Sequence, residues 1–417
     1  MANTVVRPRD VLLNITGASI ARSAIVPDNF DEANVSQHVA IVRQVDPDTN
    51  KWVHLFLISP VGYRAIMDVQ VGISREGLSM ASLRQFLLPV PPLEEQRRIV
   101  ARVDELTVLL DRLEAAKEAR DATRAQLRDA ALAALQDAND AEEVKTAWSR
   151  IADHMHDLFI DPADIPPLRQ TILELAAKGY LVEQNESDPP AAELLGDRAE
   201  VTDCDPPSGW AWSTIERLGD VRGGGTPSKG NAQFWGGTIP WVSPKDMKVD
   251  LLGASQDSIT DAAVEGSSVK RIPSGSVLMV VRGMILAHSF PVALTTVETT
   301  INQDMKALVP FDSRIARYLL LLLKASKRHV LQLVSRSTHG TCKLPTEPLF
   351  NLPLAIPPLP EQIRIVDRVN ELMVLLDRLE TSVAHARATQ EAFSASAVRA
   401  LPGERLGLDE SDAVAVG

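Results

Sequence analysis

The chain repeats itself at a separation of 266 residues. Pro91-Pro92-Leu93-Glu94-Glu95-Gln96 returns as Pro357-Pro358-Leu359-Pro360-Glu361-Gln362, and 19 of the 24 positions in 91–114 are identical in 357–380. Among them are Arg98/Arg364, Ile99/Ile365, Arg102/Arg368 and Glu105/Glu371, ending in a shared Val-Leu-Leu-Asp-Arg-Leu-Glu run from Val108 and from Val374. Chance does not produce such a match, so the fold must hold two copies of one element. The same offset persists upstream with sparser agreement: Val11-Leu12 meets Val277-Leu278, Gly17 meets Gly283, Ala21 meets Ala287, Gln37 meets Gln303, Leu78 meets Leu344 and Leu83 meets Leu349. A divergent domain followed by a nearly fixed element therefore occurs twice.

The fixed element reads as a long helix. Ile99, Val103, Leu106, Leu110 and Leu113 step by four and three, as do Ile365, Val369, Leu372, Leu376 and Leu379, which is a heptad seam. Prolines precede each run and glutamates fill its first turn, where they favour the positive end of the helix dipole. Few Gly or Pro residues intervene before Asp140 and Pro402, so each helix can reach roughly 40 residues, about 60 Å. Packing of each helix on its own domain is the plain alternative, and two matching seams in one chain favour antiparallel pairing. The divergent element reads differently. Ser276–Val281, Val39–Val42 and Ala307–Val309 are short, β-branched and bounded by turn residues, as strands are, while 315–334 and 52–67 look helical. The expected class is α+β, with two domains of mixed α/β structure separated by two long helices that pair as an antiparallel coiled coil.

Charge is segregated along the chain. The formal net charge is −12, which taken alone argues against a nucleic-acid partner. Residues 208–356, however, carry 16 basic against 11 acidic side chains, whereas 91–207 carry 13 against 26 and 357–417 carry 6 against 10. A mildly basic globular segment beside acidic helical ones fits DNA touching some parts and protein touching others. No stretch approaches 18 uninterrupted apolar residues and no basic start leads into an apolar run, so neither a membrane span nor a signal peptide is expected and a cytoplasmic location is. Cys204 and Cys342 form neither a disulfide framework nor a metal pair, and His154 with His156 lacks a third ligand in spacing. No nucleophile motif, adenine-methylase signature or glycine-rich nucleotide fingerprint is present, so no catalytic centre is expected.

Further motifs follow in order: Leu168-Arg169-Gln170-Thr171-Ile172-Leu173 with Gly179-Tyr180-Leu181-Val182, Ser208-Gly209-Trp210, Gly224-Gly225-Thr226-Pro227-Ser228, Ile239-Pro240-Trp241-Val242 with Lys245-Asp246, and Ile301-Asn302-Gln303. Together with Pro-Pro-Leu-x-Glu-Gln at both helix starts, the chain resembles the specificity subunits of type I restriction-modification systems. The resemblance implies a first target-recognition domain over 1–90, a first spacer helix over 91–145, a connector over 146–207, a second target-recognition domain over 208–356, a second spacer helix over 357–402 and a tail over 403–417. It further implies that each recognition domain reads one half of a bipartite double-stranded DNA target, and that the helices set the spacing between halves. Two modification (methyltransferase) subunits would dock on the helices and restriction (nuclease-translocase) subunits would join them. S-adenosylmethionine and ATP with Mg would then belong to those partners, with no cofactor in this chain. Residue 1 aligns with residue 267, so the first domain is expected to be incomplete, either folding poorly or completed by another chain. That keeps open the alternative of a coiled-coil adaptor that binds the methyltransferase subunit without useful DNA specificity. A methyltransferase or nuclease in its own right is a third reading, which failure to bind S-adenosylmethionine without partners would remove in its methyltransferase form.

The candidate DNA-contacting residues are Thr226, Ser228, Lys229, Lys245, Asp246, Arg282, Gln303, Lys306, His339 and Lys343 in the second domain, and Arg22, Gln37 and Arg75 in the first. The glycine-rich run Gly223–Gly230 offers backbone N–H groups with a lysine nearby, and a plain surface turn is its alternative. Lys245 and Asp246 follow a Trp-Val-Ser-Pro turn that can point side chains into a groove or merely solvate them. Arg suits guanine and Gln suits adenine in the major groove. Gln303 matches Gln37, so readers of different sequences are sought where the copies differ, as at Arg282 against Thr16 and His339 against Ile73.

Overall fold

Alternation of side chains builds the first sheet. In the computed structural model, β1 (Val11–Asn14) buries Val11 and Leu13 and turns Leu12 and Asn14 outward. It is the central strand between β2 (Ser23–Ile25) and β3 (Val39–Val42), both antiparallel to it. The structure describes residues 4–69, 77–200, 206–336 and 340–400, with side chains up to 397. By its internal contacts it divides into two units, Met1–Ala122 and Thr123–Gly417.

In the first unit, α1 (Asn50–Ile58) and α2 (Pro60–Asp68) follow the sheet. The helical stretch expected over 52–67 is broken at Ser59, whose hydroxyl accepts from Gly62 N at 3.1 Å, with Pro60 opening the new helix. The core joins Val11, Leu13 and Ala40 of the sheet to Val53, Leu57 and Ile66 of the helices and to Leu78. α3 (Leu93–Gln136) is 44 residues long and crosses the boundary between the units.

The second unit contains α4 (Ile165–Ala177), then the strands β4 (Ala211–Thr214), β5 (Gly219–Gly223), β6 (Trp235–Val242), β7 (Leu251–Leu252), β8 (Asp257–Ile259), β9 (Val277–Val280), β10 (Val292–Thr295), β11 (Thr300–Ile301) and β12 (Met305–Pro310). A five-stranded sheet runs β5-β12-β9-β10-β7, and a three-stranded sheet runs β8-β6-β11. α5 (Ala316–Ala325) and α6 (Lys327–Gln332) follow, then β13 (Pro353–Ile356), which pairs with β4, and α7 (Leu359–Ala400), 42 residues long. Here too the expected helix over 315–334 is split, at Ser326.

The sparse upstream repeat is a structural repeat. β1 pairs with β3 as Val11↔Val42 through Asn14↔Val39, and β9 pairs with β12 as Val277↔Leu308 through Val280↔Met305. Every one of these partners is displaced by the same 266 residues. Ile15 N donates to His38 O at 2.9 Å as Val281 N does to Asp304 O at 2.8 Å, and Leu78 N donates to Ile15 O as Leu344 N does to Val281 O. Gly17 and Gly283 both take positive φ, 75° and 136°, at the turn after the central strand, where a Cβ would be strained. Register is conserved because one face of each sheet is buried, and a one-residue slip would turn that face outward.

The two long helices start alike: Gln96 Nε2 donates to Pro91 O at 2.8 Å and Gln362 Nε2 to Pro357 O at 2.9 Å. Their seams differ in burial. Ile365 and Val369 lie in the core of the second unit, and Leu376 joins Leu132, Leu135, Leu168, Ile172 and Leu175 in a second cluster against which Leu372 and Leu379 pack. Over these turns α7 packs on its own domain, on α4 and, through Leu376, on the end of α3 at Leu132 and Leu135. In the first copy Leu106, Leu110 and Leu113 are exposed. The segment expected as a connector is structural, since Arg169 of α4 pairs with Asp377 at 2.6 Å and Glu380 at 2.8 Å on α7.

Candidate nucleic-acid interface

The polar candidates of the second domain gather where β9 ends and β12 begins. Arg282 follows β9; its backbone N donates to Asp304 O at 3.1 Å, and its guanidinium lies 3.6 Å from the Asp304 carboxylate. An isolated bridge joins Arg282 to Lys343, held by Gly283 N donating to Cys342 O at 3.0 Å. Gln303 stands exposed in the turn between β11 and β12, where the Thr226 hydroxyl donates to its Oε1. Lys306 sits opposite Gly223 across the β12–β5 pair, and a Cβ at Gly223 would come within 3.2 Å of its Nζ. Arg282, Gln303, Lys306, Lys343 and Thr226 are thereby brought to one end of the five-stranded sheet.

The glycine-rich run is shaped by packing. Gly225 N donates to Ile301 O at 2.9 Å, Trp241 Nε1 donates to Gly225 O at 2.9 Å, and a Cβ at Gly224 would stand 2.1 Å from Asn302 O. The expected cradle of free N–H groups is therefore partly spent on β11. Ser228 and Lys229 remain exposed beyond it, anchored by Trp235 Nε1 donating to Ser228 O at 3.1 Å.

β6 and β11 run parallel with Val242 beside Ile301, so the loop carrying Lys245 leaves the sheet at the same end as Gln303. Asp246 staples that loop: one carboxylate oxygen accepts from Ser243 N at 2.8 Å and Ser243 Oγ at 3.0 Å, the other from Gln256 N at 2.8 Å. Lys245 is exposed beside it. In the first domain Arg22 and Gln37 are exposed, and Thr16 Oγ1 lies 2.6 Å from His38 Nδ1. Thr16 and His38 hold the places of Arg282 and Asp304 in the repeat. Arg75, His339 and its counterpart Ile73 lie outside the described residues, as does Cys204. Sequence reasoning missed His38 and Asp304, although each directly follows the matched Gln37 and Gln303.

Two buried carboxyls, one beneath the second domain and one in the first, have shifted ionisation. Burial pushes the Glu361 carboxyl above its ordinary range, partly offset by Trp210 Nε1 donating to it at 3.1 Å. In the first domain burial opposes ionisation of Asp10, but hydrogen bonds from Arg43 and from the backbone of Arg7 outweigh it and hold that carboxyl low. Both shifts follow from packing within their own domains. Among the described residues no group of three or more His, Cys, Asp or Glu side chains is placed to hold a metal ion, and no helix is long and apolar enough to cross a membrane.

Residues 3–120 and 207–382 match the model of the type I restriction modification DNA specificity domain. The chain belongs to this family. It is 37% identical over 171 residues to the EcoR124I/EcoR124II specificity subunit of Escherichia coli, 41% of each chain, and 26% identical over 344 residues to the Escherichia coli EcoEI specificity subunit, 73% of this chain and 56% of that one. The chain thus spans about half the length of the curated relatives it matches. A chain solved in a study of complex assembly and conformational transition of the type I R-M system covers 93% of this one and is covered over 80% of its own length, with TM-score 0.52 and 20% identity, and so shares the fold. The two matched stretches of this family member correspond to the two copies of the repeat.

Proposed function

We propose that the chain is a sequence-specific DNA-binding specificity subunit of a type I restriction-modification enzyme, acting in the cytoplasm without catalysis of its own. The observation that carries this reading is the pair of specificity-domain matches laid over two copies of one sheet, whose exposed polar ends differ in side chain. Arg282, Gln303, Lys306, Lys343, Thr226, Lys229 and Lys245 offer base and phosphate contacts to one half of a bipartite duplex target, with Asp246 positioning its loop. Arg22 and Gln37 offer the corresponding contacts in the first domain. The domain limits proposed are those of the sequence reading, with α4 fastening the connector to α7.

The same proposal assigns the long helices to spacing and assembly. Their antiparallel pairing is supported by the two identical seams and by Leu376 of α7 meeting Leu132 and Leu135 of α3, while the exposed Leu106, Leu110 and Leu113 offer apolar surface to a partner. Two modification subunits that bind S-adenosylmethionine, and restriction subunits that use ATP and Mg, are the partners of this scaffold. The experiment is a mobility-shift selection from random duplex DNA, with the chain alone and with its modification subunit, at two salt concentrations. Recovery of a bipartite motif whose binding weakens with salt is the expected result. Retention of the subunit without any sequence preference would replace the reading by a protein-binding adaptor.

A further inference from the structure

Only five of the 24 matched positions at the helix starts differ between the two copies, and the five share one helix face. Pro360, Ile363, Asp367, Asn370 and Met373 stand where the first copy has Glu94, Arg97, Ala101, Asp104 and Thr107, at intervals of three and four residues. In the second unit, Asn370 and Met373 open into a groove of about 770 Å³ between α4, α5, α7 and the segment leading from β6 to β7. Its floor is apolar, built from Leu173, Phe290, Leu320, Val369 and Met373, and Val249 and Leu251 on its wall are 52% and 49% exposed. Along α7 the lining runs from Val366 to Asp377, about three turns or ~16 Å of helix.

Charge around this floor is unbalanced. Five cations line the groove against two carboxylates, and both carboxylates are taken: Asp250 by Lys324 at 2.6 Å and Asp377 by Arg169 at 2.6 Å. Arg317, Lys327 and Lys248 make no side-chain hydrogen bond or ion pair among the described residues. The repeat shows how Arg317 comes to stand alone. Its place in the first copy is held by Lys51, which pairs with Asp104 at 3.6 Å, and the exchange of Asp104 for Asn370 withholds that carboxylate from the second copy. Lys324 and Lys327 in turn stand where the first copy has Ile58 and Val61. An apolar floor rimmed by unneutralised cations is thus particular to the second copy.

We propose that this groove docks an acidic segment of a partner protein that carries large apolar side chains, one segment per chain. Apolar side chains fill the floor, and carboxylates meet Arg317, Lys327 and Lys248, a complementarity that selects the partner by sign of charge. The apolar floor favours a peptide over a duplex, whose phosphates need only the cations. Among the described residues, none of the candidate DNA contacts lines the groove, so the proposal goes beyond the DNA-binding reading and stands or falls apart from it.

The test titrates the full chain into a dye-labelled synthetic peptide of about twelve residues repeating Leu-Leu-Glu-Asp, long enough for about three helical turns, and follows fluorescence anisotropy. Saturable binding at one site per chain is expected, lost when Lys replaces the peptide's acidic residues or Ser its leucines. Arg317→Glu or Lys327→Glu should weaken it about tenfold. Asn370→Asp, which restores the carboxylate of the first copy, should weaken it too, and Lys51→Gln should not change it. Arg317 and Lys327 stand in the first turns of α5 and α6, where glutamate is favoured, and Asn370 is exposed, so these variants keep the fold, which circular dichroism checks. Absence of saturable binding, binding indifferent to Arg317→Glu, or binding kept by the serine peptide would overturn the proposal. Displacement of the peptide by duplex DNA whose own binding Arg317→Glu weakens equally would do the same, by assigning the cations to phosphate. A dimer of the chain alone that Arg317→Glu dissociates in light scattering would give the groove to a second copy instead.

Discussion

The guanidinium of Arg282 lies 3.6 Å from the Asp304 carboxylate, with the arginine side chain 51% exposed. An exposed pair of this kind adds about 0–1 kcal/mol to stability, so it is poorly explained as a structural device. Its counterpart in the first domain is a hydroxyl beside an imidazole, Thr16 with His38. Arg282→Ala is therefore expected to leave the melting temperature almost unchanged, to weaken specific DNA binding by about 1–3 kcal/mol and to relax preference at one position of one half-site. Binding selections on wild type and variant measure both effects.

Gly224 tests whether the glycine-rich run is held by packing. A Cβ there would meet the backbone oxygens of Asn302 and Ile301 at 2.1 and 2.3 Å, which no side-chain movement relieves, whereas a Cβ at Gly230 would meet only Ser228 Oγ at 3.9 Å. Gly224→Ala should lower thermal stability by more than about 1 kcal/mol and loosen the turn that carries Gln303, while Gly230→Ala stays within about 0.5 kcal/mol of wild type. Thermal denaturation of the two variants decides it. Equal effects would mean that the loop is held by something other than β11.

Much of this architecture was legible because the repeat is visible without coordinates. The offset of 266 residues located both long helices and both central strands, and burial of one sheet face kept the register that the offset predicted. Site residues were legible by type but not by role. Asp246 looked like a groove contact, yet its oxygens are taken by Ser243 and Gln256, a turn interaction that residue type alone does not reveal. The breaks at Ser59 and Ser326 escaped the apolar periodicity because each lies within an apolar run that continues on the far side. Burial of the second seam was illegible, since Ile365 and Ile99 are the same residue and only long-range neighbours distinguish them.

Glu361 predicts a pH dependence with a definite sign. Its folded pKa lies above the unfolded value because the carboxyl is buried, so the protonated form favours the native state. The stabilising contribution is complete below the unfolded value, about 4.3 for glutamate, and is lost as pH rises through the folded one. Glu361→Gln removes the titration and keeps an oxygen for Trp210 Nε1. The variant should melt higher than wild type near neutral pH, and the difference should shrink as pH falls towards about 4. Melting curves across that range check it; a difference independent of pH would mean that Glu361 stays ionised in the fold.

Leu110 and Leu376 are the same position of the repeat in opposite environments, 58% and 6% exposed. Leu376 is enclosed by Leu132, Leu135, Leu168 and Ile172, so truncation removes buried methyl groups and leaves a cavity. Leu376→Ala should cost about 2–5 kcal/mol, whereas Leu110→Ala in the chain alone should cost less than about 0.5 kcal/mol, since an exposed leucine has little to lose. Denaturant titration of the two variants measures this contrast. If the long helices serve assembly, the order inverts for binding, because Leu110 offers its side chain to a partner surface while Leu376 is already spent on α4 and the end of α3. Leu110→Ala should then weaken the complex with the modification subunit without unfolding the chain. Equal stability losses in the two variants would show that the first seam is covered in solution even in the chain alone.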